Sequence, residues 1–213
     1  MPSEDNILRI LGRVTSINVR KVLWTADELG LAYAREDWGM PLRDPKVPEF
    51  LALNPNGLVP VLVDGDFVLW ESHPIMGYLA EGQSDTPLIP AHRRARATMA
   101  QWLAWQQTEL SPAWGYAFLA LGRPTPGYDD PQQIARSIQR WSAKVAILEA
   151  QLADGRPFVN GDDFTLADIA LGLAMHRWQA TPFDKPPLPS ADAYYARLKT
   201  RPAAAPYLTA GTP

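Results

Sequence analysis

Residues 54–72 read NPNGLVPVLVDGDFVLWES, and this stretch decides the fold. Two short apolar runs, Val59–Val63 and Phe67–Trp70, flank Asp64-Gly65, and an Asp-Gly dipeptide between such runs predicts a β-hairpin. Upstream, Ile7, Leu8, Ile10 and Leu11 form a buried-type run over Asn6–Leu11 that ends at Gly12, as a central strand would. Val19, Val22, Leu23, Ala26 and Leu29 then recur at helical spacing up to Gly30. Ala32–Asp37 supplies a further short strand, and a helix is expected to begin around Ser72–Pro74. The first 80 or so residues therefore predict a βαβ unit followed by a ββα unit. Beyond Gly82 the character changes to long helical patterns: one very long helix or a bent pair over Ala91–Leu121, then about Gln132–Ala153, Leu166–Gln179 and Ala191–Thr200. The expected boundaries are an α/β domain over 1–82, a linker over 83–90 and an all-helical domain over 91–213.

Composition narrows the chemistry. The 213-residue chain carries 20 Lys+Arg against 23 Asp+Glu, a formal charge of −3. Such a chain has no basic field to hold a phosphate backbone, so nucleic acid is not an expected partner. No run of about 18 apolar residues is present for a membrane span, and the opening MPSEDNILRI has acids where a secretory signal would be basic and then apolar. A cytoplasmic protein is expected. With no cysteine in the chain, disulfides, thiolate metal sites and intrinsic thiol chemistry are excluded, and any thiol must come from a ligand. The three histidines, His73, His92 and His176, lack the spacing that puts two ligands on one helix face, so no metal is expected. Eight tryptophans and 21 prolines hint at an aromatic-lined apolar pocket and firmly terminated helices.

Three short elements carry candidate chemistry, and each also has a purely structural reading. Ser16 stands where the first helix begins, near unpaired amides and the positive end of the helix dipole; Ser16 or Thr15 could equally be a helix cap. Asn54–Pro60 puts a proline where a strand should start pairing. A cis Val59-Pro60 peptide there would offer the Val59 main chain to an extended ligand, while a trans proline would mark a strand edge. Glu71-Ser72 follows the last strand directly. Ser72 can cap a helix, or the acid and hydroxyl together can hold an amino-acid head group.

In this order and at these distances the elements resemble the cytosolic glutathione transferase family over essentially the whole chain, in particular its serine-using phi and theta classes. The resemblance implies an N-terminal thioredoxin-like domain with a mixed sheet followed by an all-α domain. It also implies that Ser16, six residues before Val22, activates the thiol of glutathione, that Pro60 is cis with Val59 binding the cysteinyl part, and that Glu71 and Ser72 contact the γ-glutamyl group. The family's basic residue for the glycine carboxylate falls at Lys46 by a gapless count, with Arg43 as substitute. His73-Pro74 departs from the usual Asn-Ala after Glu-Ser and bears on glutathione affinity. Phe164–Ala170 matches the family's helix-capping box, in which Thr165 and Asp168 serve folding.

Ser16 is expected to stabilise the sulfur anion and not to attack covalently, since no His or acid is visible as its base. Trp38, Trp105, Trp114 and Trp178, with Tyr116, are possible walls for a small hydrophobic electrophile, and core packing explains them equally. His176-Arg177-Trp178 reads as a satisfied helix-end cluster. The function implied is conjugation of glutathione, as co-substrate, to apolar electrophiles, with reduction of organic hydroperoxides as an added activity. The alternatives are a dedicated dehalogenase or ether-cleaving enzyme and a glutathione-binding assembly protein without turnover. A homodimer is implied, with the region Trp70–Tyr78 in the interface.

Overall fold

The computed structural model describes residues 7–84, 86–209 and 211. Main-chain contacts divide the chain into two compact units that part between Thr86 and Pro87.

The first unit is α/β, in the order β1 (Leu8–Leu11), α1 (Ile17–Glu28), β2 (Tyr33–Glu36), α2 (Pro48–Leu51), β3 (Val61–Asp64), β4 (Phe67–Trp70) and α3 (Ser72–Glu81). The sheet runs β2-β1-β3-β4, with β1 parallel to β2 and β3 antiparallel to both β1 and β4. This is the mixed thioredoxin-like sheet expected. The first strand was expected from Asn6; β1 begins at Leu8, and Asn6 lies outside the described residues. One sheet face is closed by Leu11, Trp38, Phe50, Val61 and Val63. The hairpin register pairs Asp64 with Phe67, so the two-residue loop is Gly65-Asp66. Its first position has φ +59 and belongs to Gly65, which adopts that conformation without a Cβ clash.

The second unit is all-helical. Arg93–Gly122 is one nearly continuous helical run in which α4 (Arg93–Trp105) and α5 (Ser111–Ala117) are each followed by a π-helical turn, at Gln106–Leu110 and Phe118–Gly122. Pro112, just inside α5, has no N–H to give back to the preceding turn, and the helix accommodates this by widening ahead of it. After α6 (Pro131–Leu152) come α7 (Leu166–Ala180), α8 (Pro189–Lys199) and the short α9 (Ala205–Leu208). From Leu166 to Trp178 every residue of α7 is buried, which makes α7 the axis of this unit. Trp141 of α6 is fully buried, with ring centres 5.8 Å from Trp114, 5.2 Å from Trp178 and 5.5 Å from Phe183.

Asp168 anchors the start of α7. Its Oδ1 accepts from the Val159 N–H and the Tyr194 hydroxyl, both at 2.9 Å, and its Oδ2 from the Thr165 N–H at 2.8 Å and the Thr165 hydroxyl at 3.0 Å. Burial pushes this carboxyl above its ordinary range, and the hydrogen bonds donated to it oppose that rise. Among the described residues no helix is long and apolar enough to cross a membrane.

Candidate functional site

Sheet register collects the three candidate elements at one end of the first unit. Leu11, the last residue of β1, pairs with Val61, the first of β3, and Val61 pairs with Trp70, the last of β4. The loop after Leu11, the Val59-Pro60 peptide before Val61 and Glu71-Ser72 after Trp70 therefore leave the sheet side by side. The contact is close at Gly12, where an added Cβ would lie 3.3 Å from Cβ of Val59 and 2.4 Å from a Val19 methyl.

The loop carrying Ser16 is tied down by main-chain bonds. Gly12 N donates to Glu36 O and Arg13 N to Trp38 O, both at 2.8 Å, and Ser16 N closes a turn onto Arg13 O at 3.1 Å. Ser16 is the N-cap of α1, with φ −89° and ψ 125°, and its carbonyl accepts the first helical bond from Arg20 N at 2.9 Å. Its side chain makes no capping hydrogen bond, and the first turn of α1 contains no acid. The helix start thus keeps its positive character, with a hydroxyl beside it that is not spent on the cap. Thr15 differs, because its Oγ1 accepts from Arg13 Nη1 at 2.6 Å.

Val59-Pro60 is cis, as is Met40-Pro41, which the sequence reading did not anticipate. Among the described residues no main-chain partner is found for the amide groups of Val59. The turn before it is organised by buried Asn54, whose Oδ1 accepts from Asn56 N at 3.0 Å and whose Nδ2 donates to Leu58 O at 2.8 Å. Lys46 is exposed and lies over this turn, donating from Nζ to Asn56 O at 2.7 Å. Gly57 makes that approach possible, since a Cβ there would stand 2.7 Å from Lys46 Cδ and 2.9 Å from Pro45 O.

Glu71, and not Ser72, occupies the N-cap of α3. Ser72 is already helical and buried, while exposed Glu71 has φ 74° and ψ 125°, the positive-φ conformation of a non-glycine residue. Such backbone is costly and persists where the surroundings over-determine it, a pattern that concentrates at ligand clamps.

The aromatic residues divide. Trp38 is buried, with Phe50 at 4.8 Å between ring centres, the Arg43 guanidinium 3.6 Å from its own ring centre, and Nε1 donating to Glu36 at 3.1 Å. Arg43 also lies 4.0 Å from Glu36 and 3.8 Å from Glu49. Partial burial would raise the Glu36 carboxyl, but hydrogen bonds from Arg9 and Trp38 and the charges of Arg9 and Arg43 hold it below its ordinary value. Trp114 and Trp178 pack into the core around Trp141, and Tyr116 is held by Asp130 N and Tyr128. Trp105 keeps a partly exposed ring, edge-on to Trp102 at 5.1 Å. His176 bonds the Tyr195 hydroxyl at 2.8 Å, and Arg177 lies over Phe118 at 3.9 Å, so this group is structural in character.

The sequence reading missed the apolar residues left exposed in the loops. Val14 is 40 % exposed, and Met40, Leu42 and Leu58 are each 61 % exposed. Segment 38–43 runs beside the Ser16 loop, because Arg13 bonds Trp38 O and its side chain passes 3.2 Å from the Cβ position of Gly39. Apolar residues inside Gly- and Pro-containing loops were the available signal.

Known proteins share this sequence pattern and fold. Residues 15–81 match the family model of the glutathione S-transferase N-terminal domain, and residues 131–208 that of the C-terminal domain. Glutathione S-transferase GstB of Escherichia coli K12 is 35% identical over 199 residues, covering 92% of this chain and 95% of that protein. Glutathione S-transferase 3 of Zea mays is 33% identical over 196 residues, 90% of this chain and 86% of that one. The theta-class glutathione S-transferase of Xanthomonas axonopodis pv. citri, solved with glutathione bound, superposes with a TM-score of 0.91 at 35% identity, covering 98% of this chain and all of that one. The chain belongs to the glutathione S-transferase family.

Proposed function

We propose that the protein is a glutathione transferase that binds glutathione across the sheet end described above, holds its thiol as the thiolate beside Ser16, and delivers it to small apolar electrophiles. The observation that carries this reading is the state of Ser16. It caps α1 in backbone geometry, yet its hydroxyl forms no cap bond, and the helix start it stands at contains no acid.

A free thiol has a pKa near 8.5, so at neutral pH most of it is protonated and poorly nucleophilic. Lowering that pKa by about two units requires roughly 2.7 kcal/mol of preference for the anion. A hydrogen bond donated by the Ser16 hydroxyl to sulfur contributes about 1.5–3 kcal/mol, and the helix terminus about 0.3–1 kcal/mol more. Together they suffice. The Ser16 proton stays on oxygen throughout; the thiol proton leaves to solvent, and sulfur forms the new bond to the electrophilic carbon as the leaving group departs.

The remaining contacts follow from the chemistry at hand. The Val59 main chain pairs with the cysteinyl amide. Glu71 takes the γ-glutamyl ammonium, while Ser72 and the amides at the start of α3 take its carboxylate. Lys46 exchanges Asn56 O for the glycine carboxylate. Val14, Met40 and Leu42 offer apolar contact to the electrophile from this unit, and the same thiolate attacks an organic hydroperoxide, releasing the alcohol and leaving glutathione sulfenic acid, which a second glutathione converts to the disulfide and water. A homodimer is supported by the exposed pair Phe67 and Tyr78, with ring centres 5.0 Å apart, and by exposed Trp70. Steady-state conjugation of glutathione to an aryl halide, with calorimetric titration of glutathione, tests the reading. Saturable turnover together with binding upholds it, and the absence of binding removes it.

A further inference from the structure

Two residues without a role in this chemistry meet next to the γ-glutamyl contacts. Lys21 of α1 is 2 % exposed, and its Nζ lies 3.1 Å from Nε2 of His73. His73 follows Ser72 in the first turn of α3. With the imidazole proton on Nδ1, Nε2 of His73 accepts from Nζ of Lys21. Helices α1 and α3 pack against each other, and the Lys21–His73 contact joins them one residue beyond Ser72. Just before it stands Glu71 at φ 74°, a backbone conformation that needs its flanks held. The helix that begins at Ser16 is thereby tied to the turn formed by Glu71 and Ser72.

We propose that His73 is a positioning residue for glutathione: by accepting from buried Lys21 it fixes the first turn of α3, so that Glu71 and Ser72 are already oriented toward the γ-glutamyl group before it arrives. The proposal rests on the glutathione site described under the proposed function. Preorganisation of this kind acts on binding of the ground state, and so on KM, without touching the sulfur.

The test compares the unsubstituted protein with His73→Leu, His73→Gln, Lys21→Met and the double variant K21M/H73L. The readouts are glutathione titration, KM and kcat for conjugation to an aryl halide, and the pKa of the bound thiol. His73→Leu is expected to raise the glutathione KM about tenfold, the scale of one hydrogen bond to a charged group, with kcat and the bound-thiol pKa unchanged. In His73→Gln the amide oxygen reaches the position of Nε2 and accepts the same bond, and KM stays within about twofold. Lys21→Met raises KM at least as far as His73→Leu, and the double variant is no worse than the larger single effect, because each variant removes the shared Lys21–His73 contact. An unchanged KM in His73→Leu overturns the proposal, as does a loss of melting temperature and kcat in every variant with no selective rise in KM. If the unsubstituted protein binds no glutathione, the site reading falls with it, a result distinct from tight binding that His73→Leu leaves intact.

Discussion

Replacing Asp168 by Asn is the sharpest test of what holds the helical unit together. The carboxylate receives two donors on each oxygen, and one on each side is a main-chain N–H: Val159 on Oδ1 and Thr165 on Oδ2. An Asn amide must turn its NH2 toward one side. The Tyr194 or Thr165 hydroxyl there can rotate and accept from it, but a main-chain N–H cannot, so one buried amide loses its acceptor whichever way the side chain flips. An orphaned buried N–H costs about 1–3 kcal/mol, and exchanging charge-assisted for neutral bonds on the other side costs about 1 kcal/mol more. The expected loss is about 2–4 kcal/mol, or roughly 5–15 °C in melting temperature for a chain of this size. Urea unfolding followed by tryptophan fluorescence reads it directly, since Trp141 and Trp178 sit in the same core. A loss below about 1 kcal/mol would refute the reasoning, because it would require the orphaned amide to find water or another acceptor in a site that is fully buried.

Three further outcomes are expected. Thr15→Val leaves turnover within about twofold, because Ser16 and not Thr15 stands at the N-cap of α1 and the Thr15 side chain is fixed by accepting from Arg13; conjugation kinetics beside those of a Ser16 variant check it. Glu71→Gly relieves about 1–3 kcal/mol of backbone strain against about 0.5–1 kcal/mol of added chain entropy, so the melting temperature holds or rises while glutathione affinity falls. A lower melting temperature would mean that φ 74° is not strained. Burial pushes the Tyr195 hydroxyl up to about 12 from 10.0. A group whose folded pKa is raised contributes stability below its unfolded pKa and loses it as pH climbs through the folded one. Stability should therefore decline between pH 10 and about 12, and less steeply in Tyr195→Phe, as urea midpoints measured across that range would show.

The β3–β4 hairpin was legible because Asp64-Gly65 sits between two short apolar runs; the register moved the loop by one residue, since the positive φ belongs at its first position and Gly65 fills it. Helical periodicity placed the head of α1 at Thr15 or Ser16, and the family resemblance singled out Ser16. Its unspent hydroxyl was not legible, because a serine at an N-cap usually makes the bond that this one leaves unmade. Glu71 in place of Ser72 as the cap of α3 ran against local propensity, and only tertiary packing imposes such backbone on a non-glycine residue. Residue type and helical spacing could not tell whether Trp114 and Trp178 were core or pocket wall, and Trp38 lies in a loop with no period to read. The Lys21–His73 contact spans 52 residues of sequence and has no local signature.

The bound thiol's titration, followed by thiolate ultraviolet absorbance in the glutathione complex of the native protein and of Ser16→Ala, bears most directly on the central claim. The native complex should show a pKa about two units below the free value near 8.5, and Ser16→Ala should still bind glutathione while losing most of that shift and about tenfold to a hundredfold in turnover at neutral pH. A Ser16→Ala complex that keeps both the lowered pKa and the turnover would contradict the account, leaving Ser16 as the end of a helix and nothing more.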